Sequence, residues 1–187
     1  MMKWKIAALA LFLSACSSQA PVSYYQLPSA GGASVQAASV NPQKQLWIEN
    51  VTVADFLSGT GIAYQTSDVT YTVASSNLWA SGLEQQLKRA LTDNLSAQLG
   101  DWLVVNQPVG SSDVDSLRVT VNAFQGRYDG HAVVSGYWVL QHKGQIVRRP
   151  FDVELPLQQD GYSELVKVLA QAWQQESVEI ANVLKSQ

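Results

Sequence analysis

One cysteine and two histidines stand among 187 residues, and charged side chains make up only 14%. A lone cysteine forms no internal disulfide. His131 and His142 do not have the H-x-E spacing of zinc enzymes. No G-x-S-x-G nucleophile turn is present. The SGTG and GSS stretches around Ser58 and Ser112 lack the Lys-Ser/Thr ending and the strand-loop-helix setting of a phosphate loop. The carboxylate pairs Asp113 with Asp115, Asp152 with Glu154, and Glu176 with Glu179 are read as surface solubility; an acid-base pair needs a cleft and one raised pKa, which spacing does not show. A formal net charge of −3 disfavours nucleic-acid binding. These scarcities exclude thiolate, metal and phosphate-loop chemistry as first readings, and no cofactor is expected.

The sequence also lacks a hydrophobic run of membrane-spanning length; its longest run, residues 6–13 (IAALALFL), is far short of the roughly 18–25 residues that cross a bilayer as a helix. Lys3 and Lys5 precede that run and Ser14 and Ala15 follow it, the order of a cleavable export signal. The boundary reads Leu13-Ser14-Ala15-Cys16, the bacterial lipobox. Residues 1–15 are therefore expected to be removed, and Cys16 to become an acylated first residue carrying three chains. One chain holds a protein to a bilayer only marginally, but several make the anchor effectively permanent. Ser17, in the place where Asp commonly retains a lipoprotein in the inner membrane, points to the periplasmic face of the outer membrane.

After the signal, the expected organisation is an acylated N-terminus and flexible tether over residues 16–43, containing a candidate first strand, and then one domain over residues 44–187. Tyr24 and Tyr25 suit that first strand, one ring packed and the other exposed. Residues 31–43 are small and polar, the composition of a loop. Strands are predicted over residues 46–53, 62–65, 69–73 and 102–105. Residues 75–100 read as helical, with Leu83, Leu87, Leu91, Leu95 and Leu99 every fourth position and Gly100 as a cap. Beyond a turn-rich connection containing Asp113 and Asp115, residues 117–124 alternate, with Leu117, Val119, Val121 and Ala123 on one face and Arg118, Thr120, Asn122 and Phe124 on the other. Residues 131–140 and 145–155 form a hairpin about Lys143-Gly144, with His142 at its solvated tip. A helix with Tyr162, Leu165, Val166, Leu169, Ala172, Trp173, Ile180 and Leu184 on its apolar side closes the chain. The fold class is α+β: a mixed or antiparallel sheet of about six or seven strands with two amphipathic helices packed on one face.

Aromatic residues are the informative excess. Trp79, in SNLWASG, is expected to staple the first helix or to project as a partner contact. Tyr128 lies in QGRYDG between Arg127 and Asp129, a charged aromatic turn that suits a docking edge or a local ion pair.

These segments together resemble the PqiC (YmbA) type of outer-membrane lipoprotein, of the ABC-type transport auxiliary lipoprotein component family. The resemblance runs from Cys16 essentially to the end. It rests on YYQL at residues 24–27, YQTSDVTYTVASSNLWASGLEQQL at 64–87, FQGRYDG at 124–130 and VSGYW at 134–138. It implies no enzymatic activity. It implies an outer-membrane anchor that docks an inner-membrane MCE-domain tunnel protein and its integral-membrane companion, so that phospholipid or another apolar molecule crosses the periplasm and the envelope keeps its integrity. Tyr24, Tyr25, Leu27, Asn77, Leu78, Trp79, Arg127, Tyr128 and Asp129 occupy the family's motif positions and are the candidate partner-binding residues, with Cys16 as the lipidation site. A homo-oligomer is expected because a tunnel protein is itself a ring. The competing readings are a structural envelope lipoprotein that handles no lipid and a periplasmic hydrolase whose site forms only in three dimensions.

Overall fold

Alternating apolar and polar residues build most of the sheet, and leucine periodicity builds the helices that cover it. A computed structural model describes residues 21–28, 44–107, 110 and 114–186. Cys16 and the connection at 31–43 lie outside the described residues. The elements in chain order are β1 (Ser23–Tyr25), β2 (Gln45–Val53), a 3-10 turn (Asp55–Leu57), β3 (Gly61–Gln65), β4 (Tyr71–Trp79), α1 (Leu83–Gln98), β5 (Leu103–Val105), β6 (Asp115–Arg127), β7 (His131–His142), β8 (Gln145–Pro156) and α2 (Tyr162–Lys185).

The sheet is mixed and has eight strands, two of which, β1 and β5, are only three residues long. β6 organises it. Along one edge β6 pairs antiparallel with β7, which pairs antiparallel with β8. Along the other edge β2 lies parallel to its first half and β3 parallel to its last residues, so two consecutive strands share one side of a single long strand. β5 extends the sheet beyond β2, β4 lies antiparallel beyond β3, and β1 lies parallel beyond β4.

Both helices pack on one face of the sheet and against each other. The stripe Leu83, Leu87, Leu91 and Leu95 is buried, as are Leu99, Leu165, Leu169, Ala172, Trp173, Ile180 and Leu184. Two polar ties cross between the helices: the Trp173 indole donates to the Leu87 carbonyl at 3.1 Å, and the Asn94 amide donates to the Ser177 hydroxyl at 3.2 Å. The core between helices and sheet contains Phe124 and Trp138, with Phe151 and Trp173 rings edge-on at 6.2 Å.

Several local expectations change. The segment at 75–79 is strand rather than helix: β4 continues to Trp79 because β1 and β3 supply backbone partners for it, and α1 starts at Leu83 after Gly82. Gly100 is not a left-handed cap, since α1 ends through Leu99, whose N–H bonds to the Leu95 carbonyl. Asp115 begins β6 instead of lying in the connection, and Asp113 is outside the described residues. In β6 the register slips between Val121 and Ala123, a bulge that inserts Asn122. Downstream side chains therefore exchange faces, so Phe124 is in the core and Ala123 is only half-buried. The β7–β8 turn is the expected tight one, with Lys143 at φ 45° and Gly144 at φ 77°, both left-handed as a type I′ turn requires.

Candidate functional site

The motif residues assemble into two neighbouring groups at one side of the sheet. In the first, β1 lies beside the end of β4, with Ser23 opposite Asn77, Tyr24 opposite Leu78 and Tyr25 opposite Trp79. The Tyr25 phenol donates to Asn77 Oδ1 at 3.0 Å, and its ring tilts against Tyr162 of α2 at 6.3 Å. Leu27 is buried, and its backbone N–H donates to Gln86 Oε1 of α1 at 2.8 Å. The tyrosine segment and the Asn-Leu-Trp segment are therefore partners in the fold. The reach from Tyr25 to Asn77 is what one sequence cannot announce without knowing that β1 and β4 pair.

Trp79 is 4% exposed and packs against Phe124 at 6.1 Å. This corrects the reading of Trp79 as a projecting contact: it ends β4, three residues ahead of Gly82 at the start of α1, and packs into the core that holds Leu83 and Leu87. Leu27 likewise cannot meet a partner directly. Tyr24 is the exposed member of the group, at 68%. Strand alternation places it and Leu78 on the face opposite Tyr25 and Trp79.

The second group is the turn between β6 and β7. Arg127 donates two bonds to the Glu154 carboxylate of β8, at 2.7 and 2.6 Å, and its Nε donates to Asp129 at 2.9 Å. Arg127 and Asp129 thus do form a local ion pair, and Glu154 completes it across the hairpin. The guanidinium's hydrogen bonds hold Asp129 down to about 2 and lower Glu154 as well, while both carboxylates raise Arg127. All three are at the surface, where such pairs add little to stability. Tyr128 remains 53% exposed, and its phenol donates to Asp68 in the turn between β3 and β4. That bond favours the neutral phenol and raises its pKa. The Tyr64 hydroxyl, donating to the Arg127 carbonyl at 3.0 Å, joins β3 to the same turn.

Two titratable groups read as solvated from the sequence are buried. His142 is 5% exposed, with Nδ1 at 2.6 Å from Asp115 Oδ2, because the start of β6 lies beside the end of β7. Glu176 is 6% exposed and accepts a hydrogen bond from the Trp138 indole at 2.7 Å. Burial raises its pKa to about 7, opposed by that hydrogen bond and helped by Glu179. Among the described residues, no cluster of three or more His, Cys, Asp or Glu side chains could hold a metal. The groove between α1 and α2, lined by Leu27, Ala90 and Trp173, holds about 250 Å³. This is below the roughly 300–1,000 Å³ of an ordinary small-ligand pocket.

The sheet face away from the helices is uncovered by them. It presents half-buried Trp47 and Tyr137, with the Arg148 guanidinium 4.1 Å above the Tyr137 ring. The Trp47 indole donates to the Asn106 carbonyl at 3.3 Å.

Across residues 25–181 the sequence matches the model of the ABC-type transport auxiliary lipoprotein component. The chain belongs to that family. It is 50% identical over 186 residues to the intermembrane transport lipoprotein PqiC of Escherichia coli strain K12, a match that covers 99% of this chain and 98% of that protein. PqiC of Shigella flexneri matches with the same identity and coverage. A crystal structure of an uncharacterized protein, 52% identical, superposes with a TM-score of 0.78 over 88% of this chain and 99% of its own. A Xanthomonas campestris protein of 18% identity shares the fold with a TM-score of 0.65, over 88% of this chain and 99% of that one. The family match begins at Tyr25, the last residue of β1, and runs through the rest of the sheet and most of α2.

Proposed function

We propose that this protein is a non-enzymatic lipoprotein of the outer membrane, anchored by acylated Cys16, and that it docks an inner-membrane MCE-domain tunnel protein and its integral-membrane companion so that lipid can cross the periplasm and the envelope stays intact. The observation that carries this reading is the 50% identity, end to end, with a protein named for intermembrane transport. The physical need for such a system is plain: each methylene exposed to water costs about 0.8 kcal/mol, so a lipid requires a sheltered route. In this reading the route is built by the assembly, with several copies of this chain ringing the tunnel's end.

The docking surface in this reading is the uncovered sheet face, centred on Trp47, Tyr137 and Arg148, with Tyr24 and Leu78 at its margin. Aromatic side chains and arginine are the residue types that dominate protein interfaces. Two experiments test the proposal in cells. Cys16→Ser should move the folded protein from the outer-membrane fraction to the soluble periplasm; continued membrane association would reject the acyl anchor. A photo-crosslinking residue in place of Tyr137 or Tyr24 should capture the MCE-domain protein. A folded, anchored and abundant variant that yields no adduct from either position would reject this docking face.

A further inference from the structure

Among the described residues, eight large apolar or aromatic side chains are exposed: Val22, Tyr24, Phe56, Val69, Tyr71, Val73, Tyr128 and Ile146. Their distribution is uneven. Phe56, Val69, Tyr71, Val73 and Tyr128 gather at one end of the sheet, where the β3–β4 and β6–β7 turns lie side by side. The Tyr128–Asp68 hydrogen bond joins those turns, and the Phe56 and Tyr71 rings sit 5.0 Å apart. Val69 is the most exposed of the set at 85%. Only Ile146 lies at the opposite end, beside the β7–β8 turn.

Strand direction puts the anchor at the same end. β1 runs parallel to β4, and β4 starts at the β3–β4 turn, so the chain ahead of Ser23 comes from the side of that turn. Ser23 is opposite Asn77, next to the pairing of Leu78 with Gly61. At about 3.3 Å per residue, the turn beginning at Thr66 is roughly 16 Å farther along β3. Ser23 lies seven positions along the chain from Cys16, a reach of at most about 25 Å. In the other direction, β6 continues from that level to Asp115 for roughly 26 Å before the β7–β8 turn is met. A tether of that length covers the distance to the turn end with slack, and would reach the hairpin end only at full extension and after reversing the direction in which the chain enters β1.

The charged side chains at the turn end are tied up in local hydrogen bonds, with carboxylates in excess of the single guanidinium. Arg127 is held by Glu154 and Asp129, and Asp68 accepts from Tyr128. Also exposed there are the tyrosine rings of Tyr71 and Tyr128, the Phe56 ring and two valines, Val69 and Val73, the combination that rests in the headgroup layer of a bilayer. We propose that the β3–β4 and β6–β7 turns, through Phe56, Val69, Tyr71 and Tyr128, form a membrane-resting surface that lies against the bilayer holding the acyl chains. This rests on Cys16 as the anchor. It orients the molecule with these turns toward the lipid and the β7–β8 turn toward the periplasm.

The test uses the full mature, acylated protein in phosphatidylethanolamine–phosphatidylglycerol vesicles. With Cys16 acylated, Val69→Cys, Tyr71→Cys and, as the distal control, Ile146→Cys each introduce one thiol for an environment-sensitive fluorophore. Emission at 69 and 71 should shift to the blue and be lost to a quencher carried on lipid tails, while emission at 146 should be lost only to iodide in the water. Position 69 or 71 quenched by iodide as fully as 146, in protein that floats with the vesicles through Cys16, would overturn the proposal and leave the anchor intact. Shielding at 69 and 71 that rises with protein density and never responds to the lipid quencher would also overturn it, by assigning the surface to a second copy. Flotation of the Cys16→Ser protein equal to wild type would separately overturn the anchor.

Discussion

Glu176 faces the indole of Trp138 with little water around it, and the consequence is a pH dependence written into one side chain. In the unfolded chain its carboxyl titrates near 4.5, and in the fold near 7. The folded state therefore holds a proton that the unfolded state has lost, so this group's contribution to stability is complete below about pH 4.5, falls as pH rises towards 7, and is a constant penalty above it. Glu176→Gln keeps an acceptor for Trp138 and removes the charge. Its expected effect is a gain of about 1–3 kcal/mol at pH 8, little change at pH 4.5, and a flatter stability profile between them. Urea unfolding across that pH range checks it; equal effects at both ends would exclude the buried carboxyl as the cause. The sequence places Glu176 beside Glu179 as if both were solvated. Helical periodicity could have hinted otherwise, since Glu176 is three residues beyond Trp173 and four before Ile180, both on the apolar side.

Secondary structure was most legible where a pattern repeats within one element. The leucine stripe of α1 and the alternation in the first half of β6 needed no knowledge of neighbours. What escaped depends on a second strand. The β6 bulge sits where Val121 faces Gly136 of β7, and a β-carbon added at Gly136 would lie 2.0 Å from the Thr120 carbonyl oxygen and 2.8 Å from the Phe151 ring. Backbone approaches that close are invisible in either segment alone. Gly136→Ala should cost about 2 kcal/mol or more, because the contact is with backbone that cannot swing aside. Thermal unfolding measures it, and a variant as stable as wild type would mean that β6 can shift its bulge freely. The same reasoning covers β4. Ser75, Ser76 and Asn77 read poorly as strand, yet the pairing with β1 at Asn77 and beyond, together with β3, holds the segment extended through Trp79.

At the scale of the whole molecule, residues 21–28, ahead of the connection at 31–43, are part of the folded unit. β1 pairs with β4, Tyr25 bonds Asn77, and Leu27 is buried against α1. A chain starting at Lys44 should therefore be less stable by about 2–4 kcal/mol, the scale of one buried leucine plus lost hydrogen bonds. Calorimetry of the two lengths checks this; unchanged unfolding temperatures would show that β1 merely rests on the sheet. The motif residues were visible in the sequence, but their work was not. Leu27 and Trp79 complete the core, Tyr25 with Asn77 and Arg127 with Glu154 fasten strands, and Tyr24 and Tyr128 are the two whose rings stay open to solvent.

The parallel course of β1 and β4 sets how the molecule bears mechanical load. In the proposed arrangement, with Cys16 held in one membrane and the domain engaged with an assembly rooted in another, tension enters through the N-terminus whenever the two membranes move apart. A pull on the N-terminus acts along the axis of β1, so its ladder with Asn77, Leu78 and Trp79 is strained in shear and its hydrogen bonds must give way together instead of unzipping one at a time. Behind them the Leu27 side chain, seated in the core, and its N–H bond to Gln86 act as a stop. With the proposed anchor at Cys16, this three-residue ladder and the seat of Leu27 are the first parts of the fold to bear that load.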